Sequence, residues 1–342
     1  MAHIGVVIPY FQRDAGILAK ALTSVAAQAL PDHKITVVVV DDSSPRAAEL
    51  DIATLDAELG RDIVVLKQAN GGPGAARNTA LSYLATADID FVALLDSDDV
   101  WLPHHLADAI AMLGEANDYY FADHRRDGHF RDKLSYFEEN PLIGRWMDDL
   151  ASGPFEQGSF PDQFLLRRDC GLIPFMLDYL SHASTVVYRF SQLGHVRFRS
   201  ELRTAGEDIL FWLCLAREAR RTCFSSRVDV LCESGVSIYY STLSWDHPDC
   251  PARFAYQWLA WRYVQAEFEL TPAEAKLVQD KIDGFARGFS YIWLRSAIKT
   301  RKMNRPLMTF LCGRGWRKGQ MPFQVASVAV RKALGKPPFI EH

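Results

Sequence analysis

The stretch "DFVALLDSDDVWLP" (residues 90–103) decides how this chain folds. It opens on an apolar run, Phe91 to Leu95, with the length and character of a strand covered on both faces. It then places Asp96, Asp98 and Asp99 within four positions, with Ser97 between the first two. Carboxylates this close repel one another unless water, a metal ion or a hydrogen-bond network takes up the charge. The turn is therefore either solvated or built to hold something positive. Acids are common in turns, but an Asp-x-Asp pair between a buried strand and a following "VWLP" and helix favours a site for a hard divalent cation.

The same arrangement repeats toward the N-terminus. "IGVVI" (4–8), "ITVVVV" (35–40) and "DIVVL" (62–66) are short apolar runs. Helical patterns at 14–30, around 46–60 and around 74–86 separate them, with Ile17, Leu18, Ala21, Leu22 and Val25 sharing one face. Strand and helix in alternation predict a parallel sheet with helices on both faces. Ligands of such sheets bind beyond the carboxyl ends of the strands. Pro9 and Tyr10, Asp41 and Asp42, Asn70, and Asp96 to Asp99 all fall there. Four strand ends thus deliver polar or turn residues to one rim.

Each of these motifs has a structural reading beside the functional one. In "VVVVDDSS" (37–44), Asp42 is placed to accept hydrogen bonds from a ribose or base, with Ser44 capping the next helix. Equally, Asp41 or Asp42 caps that helix. "NGGPGAARNTAL" (70–81) leads a Gly-rich turn into a helix, where amides and Arg77 suit an anionic group. It has neither phosphate-loop nor GxGxxG spacing, and Arg77 is also placed to pair with a nearby acid. "GEDILFWLCLAREAR" (206–220) opens a helix with two acids, Glu207 and Asp208. Asp208 is either a partner for the helix dipole or a base that takes a proton from an attacking hydroxyl. The ten histidines form no HxxxH or HExxH set, and His247 is a remote candidate for a metal ligand.

Residues 123–170 are rich in charge, Gly and Pro and are expected to form loops; "STVVYR" (184–189) and the runs at 228–232 and 235–240 read as strands. Helical patterns then take over at 251–270, 272–299 and 321–334. Composition is that of an ordinary soluble chain, and the six cysteines contain no CxxC pair, which suits reduced thiols. The start of the chain lacks the layout of a signal peptide, and there is no uninterrupted apolar stretch of about 18 residues. The net charge of −4 is uneven: Gly284 to Ile340 holds twelve Lys and Arg and no acid, which leaves −16 on the remainder. Interleaved with Trp293, Phe310, Trp316 and Phe323, these cations are either a solvated helical face or a surface for anionic membrane, with nucleic acid the weakest reading.

Together, "VVIPYFQR", "VVVVDDSS", "NGGPGAARNTAL", "LLDSDDVWLP" and "GEDILFWL", in this order, resemble the inverting glycosyltransferases of family 2. The stretch "VVIPYFQRDAGILAKALTSV" (6–25) is similar to bacterial exopolysaccharide glucosyltransferases of the succinoglycan type. The resemblance spans residues 3–245 and implies a GT-A fold: a Rossmann-like, mostly parallel sheet with helices on both faces. It implies a catalytic domain at 1–245, with a nucleotide-binding half at 1–100 and an acceptor-binding half at 101–245. Residues 246–342 would form a helical, basic extension.

The resemblance also implies roles. Pro9, Tyr10, Asp42, Arg77 and Asp96 would bind the nucleotide sugar, and Asp98 would hold Mg²⁺ or Mn²⁺. Asp208 would be the general base. The Q-x-x-R-W motif of processive synthases is missing, so one sugar per encounter is expected. The expected partners are a UDP-sugar donor, UDP-glucose first, and a lipid-linked oligosaccharide acceptor. The expected place is the cytoplasm, with peripheral contact at the inner face of the membrane. Donor and acceptor choice should depend on loops in 123–182 and 240–260. Competing readings are a nucleotidylyltransferase, disfavoured by "PYFQRDAG" after the first strand, and a non-catalytic nucleotide- or sugar-binding module.

Overall fold

A computed structural model of the chain describes residues 1–56, 63–126, 135–233, 242–301 and 304–340. It forms two compact units, Met1–Ser200 with Phe211–Val236, and Glu201–Leu210 with Ser237–His342.

The first unit is built on one mixed sheet. Its parallel part contains β1 (His3–Tyr10), β2 (Lys34–Asp41), β3 (Ile63–Lys67) and β4 (Phe91–Leu94), in the order β3-β2-β1-β4. The helices are α1 (Ile17–Ala26), the short α2 (Ala48–Ile52) and α3 (Pro73–Leu84). Alternation along β1 explains the double cover. Ile4, Val6, Ile8 and Tyr10 join Leu18, Leu22 and Val25 of α1 in the core. On the other face Gly5 gives α3 room: a Cβ there would stand 2.6 Å from Leu84 Cδ1. Overpacking of this kind costs about 1–3 kcal/mol, so the close approach of α3 depends on that glycine.

Beyond β4 the sheet changes direction. β9 (Val187–Arg189) lies antiparallel between β4 and β6 (Tyr119–Arg126). β10 (Thr222–Cys232) follows β6 in parallel and carries β5 (Asp99–Trp101) antiparallel at its far end. The hairpin β7 (Phe155–Gln157) and β8 (Gln163–Leu166) closes the edge, so part of the region expected as loops is sheet. Within the expected helix around 46–60, α2 ends at Ile52 and 53–56 are not helical, while 57–60 and the strand-like run 235–240 lie outside the described residues. α4 (His105–Leu113) packs beside β6 and β10, and α5 (Glu207–Glu218) begins in the second unit and ends in the first.

The second unit is otherwise helical: α6 (Cys250–Glu267), α7 (Pro272–Thr300), α8 (Arg305–Cys312) and α9 (Met321–Ala333). Thr271 and Glu274 form a reciprocal capping box that starts α7. Gly288 lets Phe254 of α6 approach α7, since a Cβ would lie 2.5 Å from its ring. The aromatic residues of the basic segment have a different place from the one a membrane reading assumes. Trp293 and Trp316 are buried, and Trp316 packs edge-on against Trp258 and Phe289. Phe323 on α9 is 78% exposed. Among the described residues no helix is long and apolar enough to cross a membrane.

Candidate active site

The turn after β4 answers its charge problem by alternation. Ser97 and Asp99 are buried, whereas Asp96 and Asp98 are half-buried on the accessible side. Ser97 fits inside because it is small, and its hydroxyl accepts from Gln12 Nε2 at 3.1 Å. Asp99 has the Ser184 hydroxyl on Oδ2 at 2.5 Å. Burial, with Asp96 and Asp98 adding like charge, pushes its carboxyl well above the ordinary range. Asp96 accepts from Arg77 Nη2 at 2.6 Å, and the buried guanidinium lies 5.2 Å from the Phe198 ring centre. Of three acids, then, one is held toward the neutral form, one is matched by arginine, and Asp98 shares the accessible side with Asp96.

The Gly-rich turn differs from the anion cradle that its sequence suggests. Asp42 occupies that place. Its Oδ1 accepts from Gly71 N at 2.8 Å and Gln68 Nε2 at 2.7 Å, and its Oδ2 from Gly72 N at 2.8 Å. Gly72, at φ 87°, takes a conformation that favours glycine. The amide donors of the turn thus face a carboxylate of the protein itself, and Arg77 faces another. Capping of α2 falls to Asp41, which accepts from Ala48 N at 3.2 Å and Ser44 N at 2.7 Å. Ser44 does not cap; it exchanges hydrogen bonds with the Gln12 backbone, 2.8 Å each way. Tyr10 is wholly buried in the core beside the half-buried Pro9, and burial pushes its phenol up to about 12, with nearby Asp51 adding to it.

Residues 181–185 were missed at the sequence level and lie at the heart of this rim. Because β9 runs antiparallel to β4, its N-terminal end meets the carboxyl end of β4. Ser184 accepts from the Asp96 amide at 3.0 Å, donates to Asp99, and its carbonyl accepts from Trp101 Nε1 at 2.6 Å. His182 Nδ1 lies 3.6 Å from Asp99 Oδ2 and 3.8 Å from Cys232 Sγ, and its ring stacks on His124 at 5.0 Å. Burial, helped by Arg126 and Arg77, pulls the His182 imidazole down to about 3, so it is neutral at ordinary pH. The available signal was "SHAST", a polar run directly before an apolar strand.

Two groups of described residues bring three potential ligand atoms together. Asp99, His182 and Cys232 mix oxygen, nitrogen and sulfur, a set suited to softer ions than Mg²⁺. In the other, with His104 and Asp108, Asp229 already meets Tyr120 and the two imidazoles of His104 and His105. Asp96 and Asp98, both half-buried, offer the carboxylate oxygens that hard cations prefer.

Asp208 lies in the first turn of α5, its Oδ1 accepting from Ile209 N at 2.8 Å. It belongs to the second unit, as does His247, whose Nδ1 accepts from Asp249 N at 3.1 Å in the turn before α6.

A mixed α/β sheet with an acid-rich turn after its fourth strand defines a class, and comparison with known proteins gives the family. Residues 5–169 match glycosyl transferase family 2. The chain is 30% identical over 347 positions to the succinoglycan biosynthesis protein ExoW of Rhizobium meliloti (strain 1021), covering 97% of this chain and 99% of that protein. It belongs to glycosyl transferase family 2 and is a glycosyltransferase. A shorter stretch, 34% of this chain and 19% of the relative, is 33% identical to the poly(ribitol-phosphate) beta-N-acetylglucosaminyltransferase TarS of Staphylococcus aureus (strain Mu50 / ATCC 700699). The crystal structure of S. aureus TarS 1-349 in complex with UDP-GlcNAc superposes with a TM-score of 0.54 at 21% identity, covering 84% of this chain and 73% of that one. That likeness shows the GT-A fold. The family sets aside the nucleotidylyltransferase and binding-module readings.

Proposed function

We propose that this glycosyltransferase moves one glucose from UDP-glucose to a lipid-linked oligosaccharide in exopolysaccharide synthesis, with inversion at the sugar. The end-to-end likeness to a succinoglycan biosynthesis protein supports the pathway. The observation that carries the donor side is the alternation of the Asp96–Asp99 turn, which presents Asp96 and Asp98 outward and buries Asp99. In this reading the first hundred residues serve the donor and residues 101–245 the acceptor. Asp98 would hold Mg²⁺ or Mn²⁺, which when bound neutralises charge on a diphosphate leaving group. Asp96 would meet ribose and sugar, its orientation fixed by Arg77. Asp42 and the Pro9–Tyr10 segment would contact the uridine, Tyr10 through its backbone. Asp208 would take the proton of the attacking hydroxyl as its oxygen bonds to the anomeric carbon and the bond from that carbon to the diphosphate breaks, in one displacement.

The test is a donor screen, with release of nucleoside diphosphate measured with and without Mn²⁺. UDP-glucose turnover that needs the ion and fails in Asp98→Asn supports the reading. Turnover of a different nucleotide sugar, or no metal dependence with any donor, rejects it.

For the membrane side, the supporting feature is α9. Phe323, Val330 and Leu334 fall on one helical stripe and are 78%, 57% and 65% exposed. Exposed Arg317 and Lys318 precede the helix, and exposed Lys332 and Lys336 mark its end. An apolar stripe with flanking cations suits the surface of an anionic bilayer, where each cation adds about 1 kcal/mol. Sedimentation with phosphatidylglycerol vesicles should show salt-sensitive binding that Phe323→Asp with Val330→Asp abolishes. Equal binding to phosphatidylcholine vesicles, or none to either, rejects the membrane role. Dimerisation through the stripe would also reject it.

A further inference from the structure

The segment Glu201–Leu210, which carries Asp208, is anchored within the second unit by a small set of contacts from distant parts of the chain. Glu201 accepts a hydrogen bond from the Tyr263 hydroxyl of α6. Its other oxygen accepts from Arg314 Nη2 at 2.7 Å. The Arg314 guanidinium stands 3.8 Å from the Phe310 ring centre, and Phe310 packs edge-on against Tyr256 of α6. At the far end of the segment Gly206, at φ 88°, leans on the same helix. A Cβ there would be 2.9 Å from Ala260 Cβ and 3.2 Å from the Tyr256 carbonyl oxygen. One face of α6, Tyr256, Ala260 and Tyr263, therefore supports both ends of 201–206, and the turn after α8 clamps the first of them.

We infer that Arg314 is a positioning residue for glycosyl transfer: through Glu201 it fixes the approach of the segment that aims Asp208. The inference rests on the reading of Asp208 as base. A general base acts only within hydrogen-bond reach of the proton it removes, and a displacement of about 1 Å costs on the order of a hundredfold in rate. Glu201 and Arg314 side chains are each 32% exposed. An ion pair so exposed adds little to global stability, and a purely structural role would leave the rate constants alone. The basic segment accordingly has a task in turnover besides any contact with lipid.

The experiment follows UDP release from UDP-glucose, or from whichever donor the screen selects, with water as acceptor. Arg314→Ala is expected to lower kcat by about ten- to a hundredfold, with donor KM and melting temperature close to those of the parent. Glu201→Gln should reproduce it, and Arg314→Lys should recover part of the loss. Arg295→Ala, which breaks the 2.7 Å ion pair with Asp246 in the same unit, should leave kcat unchanged. In an Asp208→Asn background Arg314→Ala should add nothing, because both changes remove one function. If Asp208→Asn collapses turnover while Arg314→Ala and Glu201→Gln do not, the inference falls and the base assignment stands. If the Arg314 effect persists undiminished in the Asp208→Asn background, it does not run through the base and the inference falls. Unchanged turnover in Asp208→Asn alone would remove the base assignment itself.

Discussion

Two acid-bearing segments of this enzyme are held in opposite ways. The Asp96–Asp99 turn is fixed by buried partners, Arg77, Gln12 and Ser184, at the end of a sheet. The Glu201–Asp208 segment is fixed by a half-exposed ion pair and a close helix contact. Burial makes a polar contact costly to break, because the partner left behind has no water to turn to. Exposure makes it cheap to break in stability while leaving its geometric effect intact. The first segment should therefore respond to mutation by unfolding, the second by losing rate.

The largest expected effect is on the exposed side. Asp208→Asn should lower kcat by about 10²–10⁴-fold, the usual contribution of a positioned base, with the urea midpoint hardly moved. A large stability loss would break the contrast from one end. Next comes Arg77→Ala, which leaves Asp96 without its arginine. Loss of one member of a buried pair costs about 3–5 kcal/mol, and since the Asp96 side chain is 26% exposed the lower figure applies. Chemical denaturation measures it, and a cost near zero would break the contrast from the other end. Gly206→Ala should cost about 1–2 kcal/mol from its left-handed backbone and, through the contact with Ala260, lower kcat with donor KM unchanged; steady-state kinetics reads both.

The last test concerns pH. Burial pushes the Asp123 carboxyl up to about 7, against hydrogen bonds from Ser135, Phe137 N and His124 N. Between about pH 4 and 7 the folded state thus binds a proton that the unfolded chain has released. Asp123 contributes a stability that falls as pH rises through that window. Asp123→Asn, which does not titrate, should gain on the parent from about pH 4 to about pH 8 in urea midpoints. A constant difference would mean that the buried carboxyl titrates normally.

Much of the first unit was legible because β-branched runs and helical stripes repeat within short windows. The rim was legible because apolar runs stop at polar residues. For the Gly-rich turn the sequence left Arg77 either an anionic ligand or a nearby acid; the structure pairs it with Asp96 and sets the turn's amides on Asp42, a partner that spacing alone does not reveal. Ser184 and His182 escaped notice because their partners are some 80 residues away in the chain and are reached only through an antiparallel strand. In the second unit Trp293 and Trp316 sit among cations in the sequence yet face inward. Trp293 lies on α7, where Lys299 is exposed, and Trp316 lies in the turn after α8.

The position of Ser184 has a consequence for how the enzyme is made. Asp96 and Trp101 each bond to it across more than 80 residues of chain. Contacts of such separation form late, since the intervening loop must close before they are rewarded. During synthesis the first four strands leave the ribosome well before β9, so the Asp96–Asp99 turn waits, unfinished, beside a sheet that can already assemble. The Trp101 indole, bonded to the Ser184 carbonyl at 2.6 Å, is placed to report the moment of completion. In refolding, a shift in tryptophan emission that trails the recovery of far-ultraviolet ellipticity, and that is lost in Trp101→Phe, would mark this rim as among the last parts of the sheet to close.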